Sequence, residues 1–592
     1  MRDARCRWRS FAGWAPRTVF RFPIQRFTVT CGVYAVRGDH QQGDSVDRAA
    51  LPRKGGTIVT KRNRNGNAWI NTSPSELRLR GSVTVGLLIA ELCAGACGSG
   101  GTGGTPPDPG IVSDHVYYVD SVTGDDASSG LDEMHPWKTL SKVSAANLLP
   151  GDTVLFHRGA VFRGTLAAGE NSYSHNNGSA KASLRFGAYG SGAKPVFLAS
   201  EALDLPSDWV SEGSNIWRSA RSFPRDIGNI LFVNGSGVTV GFKKFAVTDL
   251  KTEKDFFYDL AGKRASGSGV VKIYSVSNPA AGGALHVELA PNLPNIYLEN
   301  AHNVIVEDLD LRYAGSHGVA AANSDHIGVR RLDISWIGGA NQAENSGASA
   351  APLRYGNGVQ FYANMSDSYV EGCRIWEIYD TAVTNQFSGT TGVTQKNISY
   401  RFNTIWNVGM AALEVWVDSP STISDVQFDH NTCFNAGFGW GAQRPTPVGG
   451  HLVWWYGRKG MTTNVKVRNN ILDTSLQGLV IQGDAALWNA NNVLSDYNGF
   501  GKGGTAPAGI RLGSGGSITT FANLSALQAA TGWDIHSVEG NAMFVNPALA
   551  DFRLAAGSPF RQKAPNIGYT TDGDGNPLPG SGPYHLGASQ TP

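Results

Sequence analysis

Apolar residues recur in a fixed pattern along the second half of the chain. From about residue 290, they form pairs eight positions apart, and a small residue precedes the second member of each pair. The pairs are Leu311 with Val319, Ile375 with Val383, Ile405 with Leu413, and Ile471 with Leu479. An asparagine recurs two places before the first apolar position, at Asn403, Asn431 and Asn469. The spacing predicts a repeated unit in which short strands each bury an apolar residue.

Repeats of roughly 20–30 residues built from short strands indicate a solenoid. Asparagines at one turn of every coil can stack and hydrogen-bond along the solenoid axis. The pattern therefore predicts an all-β fold, a single-stranded right-handed parallel β-helix with coils about 4.8 Å apart. Cys373 and Cys433 then lie two coils apart, roughly 10 Å, which is too far for a disulfide.

Both ends of this region have sequences that point to a known family. Residues 137–154 read WKTLSKVSAANLLPGDTV, and residues 546–560 read NPALADFRLAAGSPF, followed by YHLGASQ at 584–590. These strings resemble the cap and the closing coil of bacterial pectate-lyase-like β-helix proteins that are secreted or are lipoproteins. The resemblance covers about 115–592 and implies a cap helix over about 138–147, with loop insertions between coils. It implies no single activity, because the fold carries polysaccharide lyases, glycoside hydrolases, epimerases and non-catalytic surface proteins.

Charge and composition divide the chain into four segments. Residues 1–80 hold 16 Lys/Arg against 5 Asp/Glu, and the remainder holds 34 against 43. Without an apolar periodicity, 1–80 is interpreted as a disordered basic tail that lies upstream of the true protein. Residues 81–97 contain VTVGLLIA and then CAGAC, which predicts an export signal with lipidation at Cys97, or else an ordinary signal cut near Ala96. A Gly/Pro-rich linker at 98–114 and the β-helix domain at 115–592 complete the prediction of an exported, lipid-anchored or secreted protein.

The overall composition excludes several classes of protein. The chain is 41% hydrophobic and 10% aromatic, which excludes a disordered chain. With 74 glycines and only 17% charged residues it is not a coiled coil. No apolar run reaches the roughly 18–20 residues of a membrane span. The mildly acidic body predicts no nucleic-acid partner, and we expect a monomer that contacts a membrane only through its anchor.

Strand alternation identifies the side chains that face outward. The residue after each buried apolar position points away from the core, and so does the residue two places further on. The first outward row is predicted to be Ala320, Gln360, Thr384, Glu414 and Val480, and the second Ala322, Tyr362, Gln386, Trp416 and Gln482. A further coil at 451–460 places Val453 and Trp455 outward. The face is therefore polar and aromatic, and flat Trp and Tyr rings stack well on sugars.

Two long insertions, 338–357 and 437–450, flank the same coils. Solenoid insertions gather on the binding face. The insertions and the adjoining coil carry five basic side chains: Arg354, Arg444, His451, Arg458 and Lys459. This group predicts a basic rim that attracts an anionic polymer.

The residues around Glu414 permit two chemistries. A lyase on uronate chains needs the substrate carboxylate neutralised by Ca²⁺ or Arg and a base to remove a proton, for which Lys459, Arg458 or His451 are candidates. A glycoside hydrolase needs two carboxylates, for which Glu414 and Asp380 are candidates. We expect a polysaccharide lyase, with a hydrolase or a non-catalytic glycan-binding solenoid as alternatives. No metal ligands are predicted, and Ca²⁺ is a cofactor only of the lyase hypothesis.

Overall fold

The computed structural model describes residues 112–260, 268–281, 285–342, 353–444, 449–454, 460–477, 479–482, 493–501, 510–514 and 517–590. The predicted tail 1–80, the signal segment with Cys97 and most of the linker lie outside these ranges. Within them, neither α-helix has the length and apolar character that a membrane crossing requires.

The described residues form 43 strands and two α-helices. The first sixteen strands are β1 Val116–Val119, β2 Thr153–His157, β3 Val161–Arg163, β4 Leu166–Asn171, β5 Ser174–Asn176, β6 Leu184–Tyr189, β7 Val196–Leu198, β8 Glu201–Ala202, β9 Trp209–Gly213, β10 Ile216–Ser219, β11 Ile227–Asn234, β12 Gly237–Val240, β13 Phe242–Lys243, β14 Asp255–Asp259, β15 Val270–Tyr274 and β16 His286–Pro291. The next fourteen are β17 Ile296–Glu299, β18 Val304–Glu307, β19 Asp310–Arg312, β20 Val319–Asp325, β21 Gly328–Arg330, β22 Asp333–Ile337, β23 Ala340–Asn341, β24 Arg354–Tyr355, β25 Val359–Glu371, β26 Arg374–Ile378, β27 Thr381–Phe387, β28 Thr394–Arg401, β29 Thr404–Val408 and β30 Ala411–Val417. The remaining strands are β31 Thr422–Asp429, β32 Thr432–Ala436, β33 Leu452–Trp454, β34 Met461–Arg468, β35 Ile471–Ser475, β36 Leu479–Gln482, β37 Val493–Asp496, β38 Gly499–Gly501, β39 Ile510–Ser514, β40 Ser517–Phe521, β41 Val538–Gly540, β42 Phe544–Asn546 and β43 Asp551–Leu554. The helices are α1 Leu140–Ala145 and α2 Leu524–Thr531, with short 3-10 helices at Pro206–Asp208, Val247–Asp249, Trp440–Gln443 and Pro547–Leu549.

Most of these strands stack into three parallel faces, and each coil of the chain adds one strand to each face. Face 1 contains β4, β17, β20, the first half of β25, β27, β30, β33 and β36. Face 2 contains β1, β2, β6, β18, β21, the second half of β25, β28, β31, β34 and β37. Face 3 runs from β3 and β7 through β19, β22, β26, β29, β32, β35 and β38 to β41. The predicted parallel β-helix is confirmed by this topology.

The core of the β-helix begins under the predicted cap helix. Thr139 caps α1 by accepting the backbone N–H of Lys142, and Leu140 and Val143 close the end of the core. One continuous buried row on face 1 then consists of Val319, Val359, Val383, Leu413 and Leu452. Leu479 was expected as the last member of this row, but the backbone register sets Ile481 beside Leu452.

Asparagines form the predicted ladder inside the corner between faces 2 and 3. The backbone N–H of Asn403 donates to Oδ1 of Asn431 at 3.0 Å, that of Asn431 to Asn470 at 2.8 Å, and that of Asn470 to Asn498 at 3.1 Å. The prediction of Asn469 is wrong by one residue, since its side chain instead donates to Nε2 of His430.

This one-residue difference changes the face on which the following apolar residue lies. Cys433 of β32 is level with Leu472, so Leu472 enters the core of the β-helix. Ile471 packs outside, against Phe560, Tyr584 and Leu586 of the C-terminal segment. The two cysteines of the body, at 373 and 433, are both buried and free, as the coil spacing predicts.

Residues 201–291, which we call the insert, interrupt the β-helix that was predicted without a break over 115–592. Strands β8 to β16 form a five-stranded and a four-stranded sheet of mostly antiparallel strands with a core of their own. The insert is tied to the β-helix by the guanidinium of Arg163, which donates to both carboxylate oxygens of Glu288 at 2.7 and 2.9 Å. A second tie is the fully buried ion pair of Lys243 with Asp226, whose carboxylate also accepts the backbone N–H of Asn341 at 2.6 Å.

Candidate functional site

Face 1 carries the outward side chains that the strand alternation predicted. In register, the first row is Ala320, Gln360, Thr384, Glu414 and Val453, and the second is Ala322, Tyr362, Gln386 and Trp416. The last coil differs from the prediction, because the backbone of Gln482, and not of Val480, is level with Val453. Trp455, which was expected beside Glu414, lies outside the described residues.

Glu414 is an outward residue that is nevertheless buried, with 5% of its surface exposed. Its Oε2 accepts a hydrogen bond from Nε2 of Gln386 on the neighbouring coil, and Oγ1 of Thr381 lies 3.5 Å from the same oxygen. The side chain of Gln386 is buried as well. A carboxylate removed from water in this way interacts strongly with any charge or proton donor that enters the site.

Next to Glu414, the hydroxyl of Thr384 has no hydrogen-bond partner among the described residues, although it is buried. Thr384 lies directly between Gln360 and Glu414 in the first row. Buried polar atoms are almost always paired, so an orphan marks a place for a water or a ligand hydroxyl.

A chain of polar contacts leads to Glu414 from three coils away. The backbone N–H of Asn357 donates to Nδ1 of His317 at 3.0 Å, and Oδ1 of Asn357 accepts the backbone N–H of Thr381 at 3.1 Å. The amide of Asn357 also donates to Oε1 of Gln360 at 3.1 Å. Burial lowers the pKa of His317 to about 3, so this histidine is a neutral acceptor at neutral pH.

The sequence reasoning missed these supporting residues, although a signal was present. His317, Asn357 and Thr381 each stand two places before the buried apolar residue of their strand, immediately before the small residue. Tyr355 was also missed; its ring contacts His317 edge-on at 5.2 Å, and its hydroxyl donates to Oδ1 of Asn292 at 2.7 Å. Burial raises the pKa of Tyr355 to about 12.

Asp380 and Arg444 form a partly buried ion pair beside this network. Asp380 directly precedes Thr381, so the ion pair adjoins the residue that contacts Glu414. Burial alone lowers the pKa of the Arg444 guanidinium, but Asp380, Tyr379 and Glu414 outweigh this effect and raise it. Arg444 therefore stays charged and is paired with Asp380, whereas the sequence placed this arginine on an exposed rim.

Arg354 does not lie on an exposed rim. It is 8% exposed, and its Nε donates to the carbonyl of Gly339 at 2.9 Å while Nη2 donates to that of Gly228 at 3.3 Å. Its guanidinium carbon lies 4.4 Å from the centre of the Tyr379 ring. The insert, which supplies the Gly228 carbonyl, is the reason that this cation is buried.

His451 is likewise not at the rim. It occupies the column of small residues, level with Ala412, because Leu413 donates its backbone N–H to the His451 carbonyl and pairs with Leu452. The ring is 1% exposed, and its Nε2 lies 2.9 Å from the carbonyl oxygen of Asp473. Burial lowers the pKa of His451 to about 4, so it is an uncharged core residue rather than a proton acceptor open to substrate. Arg458 and Lys459 lie outside the described residues, and the rest of the predicted basic rim therefore stays untested.

Two aromatic residues lie on the second row, Trp416 on the strand of Glu414 and Tyr362 two coils before it. Tyr362 and Trp416 are both partly exposed. The Tyr362 ring packs 5.5 Å from that of Phe387, and the Tyr362 hydroxyl lies 3.4 Å from the carbonyl of Ser388. These rings border the buried polar residues with surfaces that suit a sugar ring.

Two other carboxylates near the site support loops. Glu377 accepts the backbone N–H of Trp440 at 2.8 Å and the amide of Asn407 at 2.9 Å, which fixes the loop that ends in Arg444. Asp418 accepts from Oγ of Ser388 at 3.1 Å and from the backbone N–H of Gly389 at 3.2 Å. Both carboxylates are thus explained by the turns that they hold.

The described part of the chain contains no group of three or more His, Cys, Asp or Glu side chains placed to bind a metal ion. The DGDGN string at 572–576 forms a turn in which Oδ1 of Asp572 accepts the backbone N–H of Asp574 at 3.0 Å and of Asn576 at 2.9 Å. The carboxylate of Asp572 thus stabilises its own turn.

Comparisons with known proteins find only partial or distant similarity. No family model matches the chain. The chain is 39% identical over 92 residues, 14% of its length, to a curated lacto-N-biosidase of Bifidobacterium longum, and the match spans 5% of that protein. The GH136 lacto-N-biosidase structure from Eubacterium ramulus is 16% identical, covers 65% of this chain and 56% of its own, and has a TM-score of 0.38. Pectate lyase Pel9A is 13% identical, covers 81% and 98%, and has a TM-score of 0.39. Such low values identify no shared activity.

Proposed function

We propose that this protein is a glycoside hydrolase acting on a polysaccharide or its oligosaccharides, with Glu414 and Asp380 as the two catalytic carboxylates. The observation that carries the proposal is the setting of Glu414, which faces outward on a rigid strand beside Trp416 but is buried among polar side chains. Glycosidases need a pair of carboxylates that flank the scissile bond. Arg444 is ion-paired with Asp380, and the negative charge of Glu414 also helps to raise the pKa of this guanidinium.

Three further observations support a hydrolase acting on sugars. The buried hydroxyl of Thr384, which has no partner among the described residues, offers a hydrogen bond to a water beside Glu414. Tyr362 and Trp416 supply partly exposed aromatic surfaces next to it. The local identity to a protein named lacto-N-biosidase also favours glycosidic chemistry over elimination.

The lyase expected from the sequence stays a prediction. Its base was assigned to Arg458, Lys459 or His451, and the first two lie outside the described residues. His451 is buried in the core, and Arg444 is held charged by its carboxylate partners, so neither serves as an exposed base. The assay below separates the two chemistries by their products.

The test is to screen neutral and uronate-rich polysaccharides while measuring released reducing ends and the ultraviolet absorbance of unsaturated uronyl products. We expect reducing ends without the absorbance. Glu414→Gln and Asp380→Asn should each lower the rate by about 10²–10⁴-fold, the usual contribution of acid–base catalysis. Asp418→Asn is the matched control, directly after the strand of Glu414, because its amide oxygen can keep the turn hydrogen bonds, and it should keep the wild-type rate.

Equal unfolding midpoints of all variants would show that lost activity is not lost folding. Ultraviolet absorbance that grows with turnover identifies a lyase and overturns the proposal. So does full activity in Glu414→Gln.

We also propose that the protein is exported and lipidated at Cys97, as the signal segment predicts. Mass spectrometry of the mature protein should find a diacylglyceryl-modified cysteine at its N-terminus in the wild type, and an unmodified chain in Cys97→Ser. A mature N-terminus inside residues 1–80 would contradict the proposal.

A further inference from the structure

A cleft of about 460 Å³ lies between the insert and the β-helix, apart from the outward rows of face 1. The insert contributes Phe242, Lys243 and Lys244 to its wall, and the β-helix contributes Arg354, Trp440 and Gln443. The volume is within the range of about 300–1,000 Å³ that is typical of small-molecule sites. The wall is fixed, since Nε2 of Gln443 donates to the carbonyl of Gly241 in the insert at 3.0 Å.

The charge of this cleft is one-sided. Its described lining contains Lys243, Lys244 and Arg354 and no carboxylate, and of these Lys243 is buried in its ion pair with Asp226. The acidic partners of the two lysines are buried, with Asp226 bound to Lys243 and Asp255 lying 3.1 Å from Lys244. The side chain of Lys244 is 35% exposed while that of Asp255 is 4% exposed, so the cation and not the anion is accessible.

Arg354 adds a buried positive charge at the cleft. Its hydrogen-bond acceptors are the carbonyls of Gly339 and Gly228 and, at 3.5 Å, the amide oxygen of Gln443, all of them neutral. No ion pair joins it to a carboxylate within the described ranges. A guanidinium withdrawn from water gains most from an anion that presents two oxygens to its planar fork.

The remaining wall is aromatic. Phe242 is 45% exposed and lines the cleft with its aromatic ring. Trp440 lines the same cleft and belongs to the loop that ends at Arg444, the ion-pair partner of Asp380. An exposed aromatic ring beside cations combines a stacking surface for a sugar ring with charge for an acidic substituent.

We propose that this cleft is a subsite for an acidic sugar residue, one that carries a carboxylate or a sulfate ester. The identification of the ligand as a sugar rests on the proposed function. The identification of its charge as negative rests on the residues of the cleft alone. The shared loop 439–444 connects the subsite to Asp380 through Arg444. An acidic residue bound here positions a neighbouring sugar of the same chain toward face 1.

The test is direct binding by calorimetry to the Glu414→Gln variant, with three probes: trigalacturonate, the carboxyl-reduced trisaccharide and galactose 6-sulfate. We expect trigalacturonate or the sulfated sugar to bind at least about 10-fold more tightly than the neutral trisaccharide, which is the weight of a charge-assisted hydrogen bond. Lys244→Gln should remove that preference, and Phe242→Ala should weaken all of the probes.

Lys251→Gln is the matched control, because this exposed lysine of the insert does not line the cleft. It should change affinity by less than about twofold, as is usual for surface charges. Equal binding of acidic and neutral probes overturns the proposal, and so does an unchanged acidic preference in Lys244→Gln. If Glu414→Gln keeps full activity while the acidic preference holds, the proposed catalytic pair fails and the subsite stands.

Discussion

Replacing Asn431 with alanine should destabilise the β-helix more than any neighbouring polar substitution, because it interrupts the ladder inside the corner. Its Oδ1 accepts from the backbone N–H and from the side-chain amide of Asn403, both at 3.0 Å. Its own amide donates to the carbonyl of Tyr400 at 3.0 Å and to Oδ1 of Asn470 at 3.1 Å. All of these groups are buried, so water cannot replace the lost bonds.

The magnitude follows from what is left unpaired. The amide of Asn403 keeps a bond to the carbonyl of Val370 at 3.0 Å, but its backbone N–H loses the side-chain oxygen that it binds. One orphaned buried donor costs about 1–3 kcal/mol, and the two bonds of the Asn431 amide add about 0.5–1.5 kcal/mol each. We expect Asn431→Ala to lower the unfolding free energy by about 2–6 kcal/mol.

Urea unfolding followed by circular dichroism and tryptophan fluorescence measures this difference. Asn435→Gly is the control on the strand that directly follows Asn431, since Asn435 is partly exposed, makes a single bond to Asn407 at 3.1 Å, and has a φ of 60° that glycine adopts freely. It should cost about 1 kcal/mol or less. If Asn431→Ala costs no more than Asn435→Gly, the ladder does not stabilise the corner and the reasoning is refuted.

Three further predictions concern charges. Lys243→Met should lower the unfolding free energy by about 3–5 kcal/mol, because Asp226 is left as a buried charge. Adding Asp226→Asn to this variant should restore part of the lost stability. Additive effects of the two substitutions would contradict the pairing. Gln386→Leu should reduce the turnover rate and leave the unfolding midpoint near that of the wild type, because it removes a hydrogen bond to Glu414; an unchanged rate would place the chemistry elsewhere. The unfolding free energy should fall as the pH drops from 6.5 towards 4, by up to about 1.4 kcal/mol per pH unit for each buried histidine, because the unfolded chain takes up protons that the folded chain excludes. Urea midpoints measured at pH 7, 6 and 5 check this. Midpoints that do not change over this range would contradict it. The histidines concerned, with pKa values lowered by burial to about 3, 3 and 4, are His317, His430 and His451.

The outward position of Glu414 could be predicted because alternation along a strand is a local property. Once Leu413 faces the core, its neighbour faces away, whatever the rest of the chain does. The registry of Glu414 with Thr384 and Gln360 also followed from the repeat, since equivalent residues of successive coils pair in parallel. These relations need only the sequence period.

The predicted strand register is wrong by one residue where the local sequence fits the repeat in two alignments. Asn469 and Asn470 are both asparagines, and Ile471 and Leu472 are both apolar, so the pattern fits two frames that differ by one residue. A one-residue slip moves every side chain to the opposite face. The C-terminal segment, about 90 residues further along, selects the frame, because it buries Ile471 from outside while Leu472 fills the core.

The sequence by itself thus determined the repeat, the parallel β-helix and the carboxylate that faces outward at position 414, because these depend on spacing along a few strands. Tertiary structure decided the burial of that carboxylate, the pairing of Arg444 with Asp380 across 64 residues, and the removal of Arg354 from solvent by the insert. Burial and electrostatic pairing depend on which distant segments cover a side chain. The period of the sequence does not determine the distances between such segments, because these distances depend on how the insert and the loops pack against the β-helix.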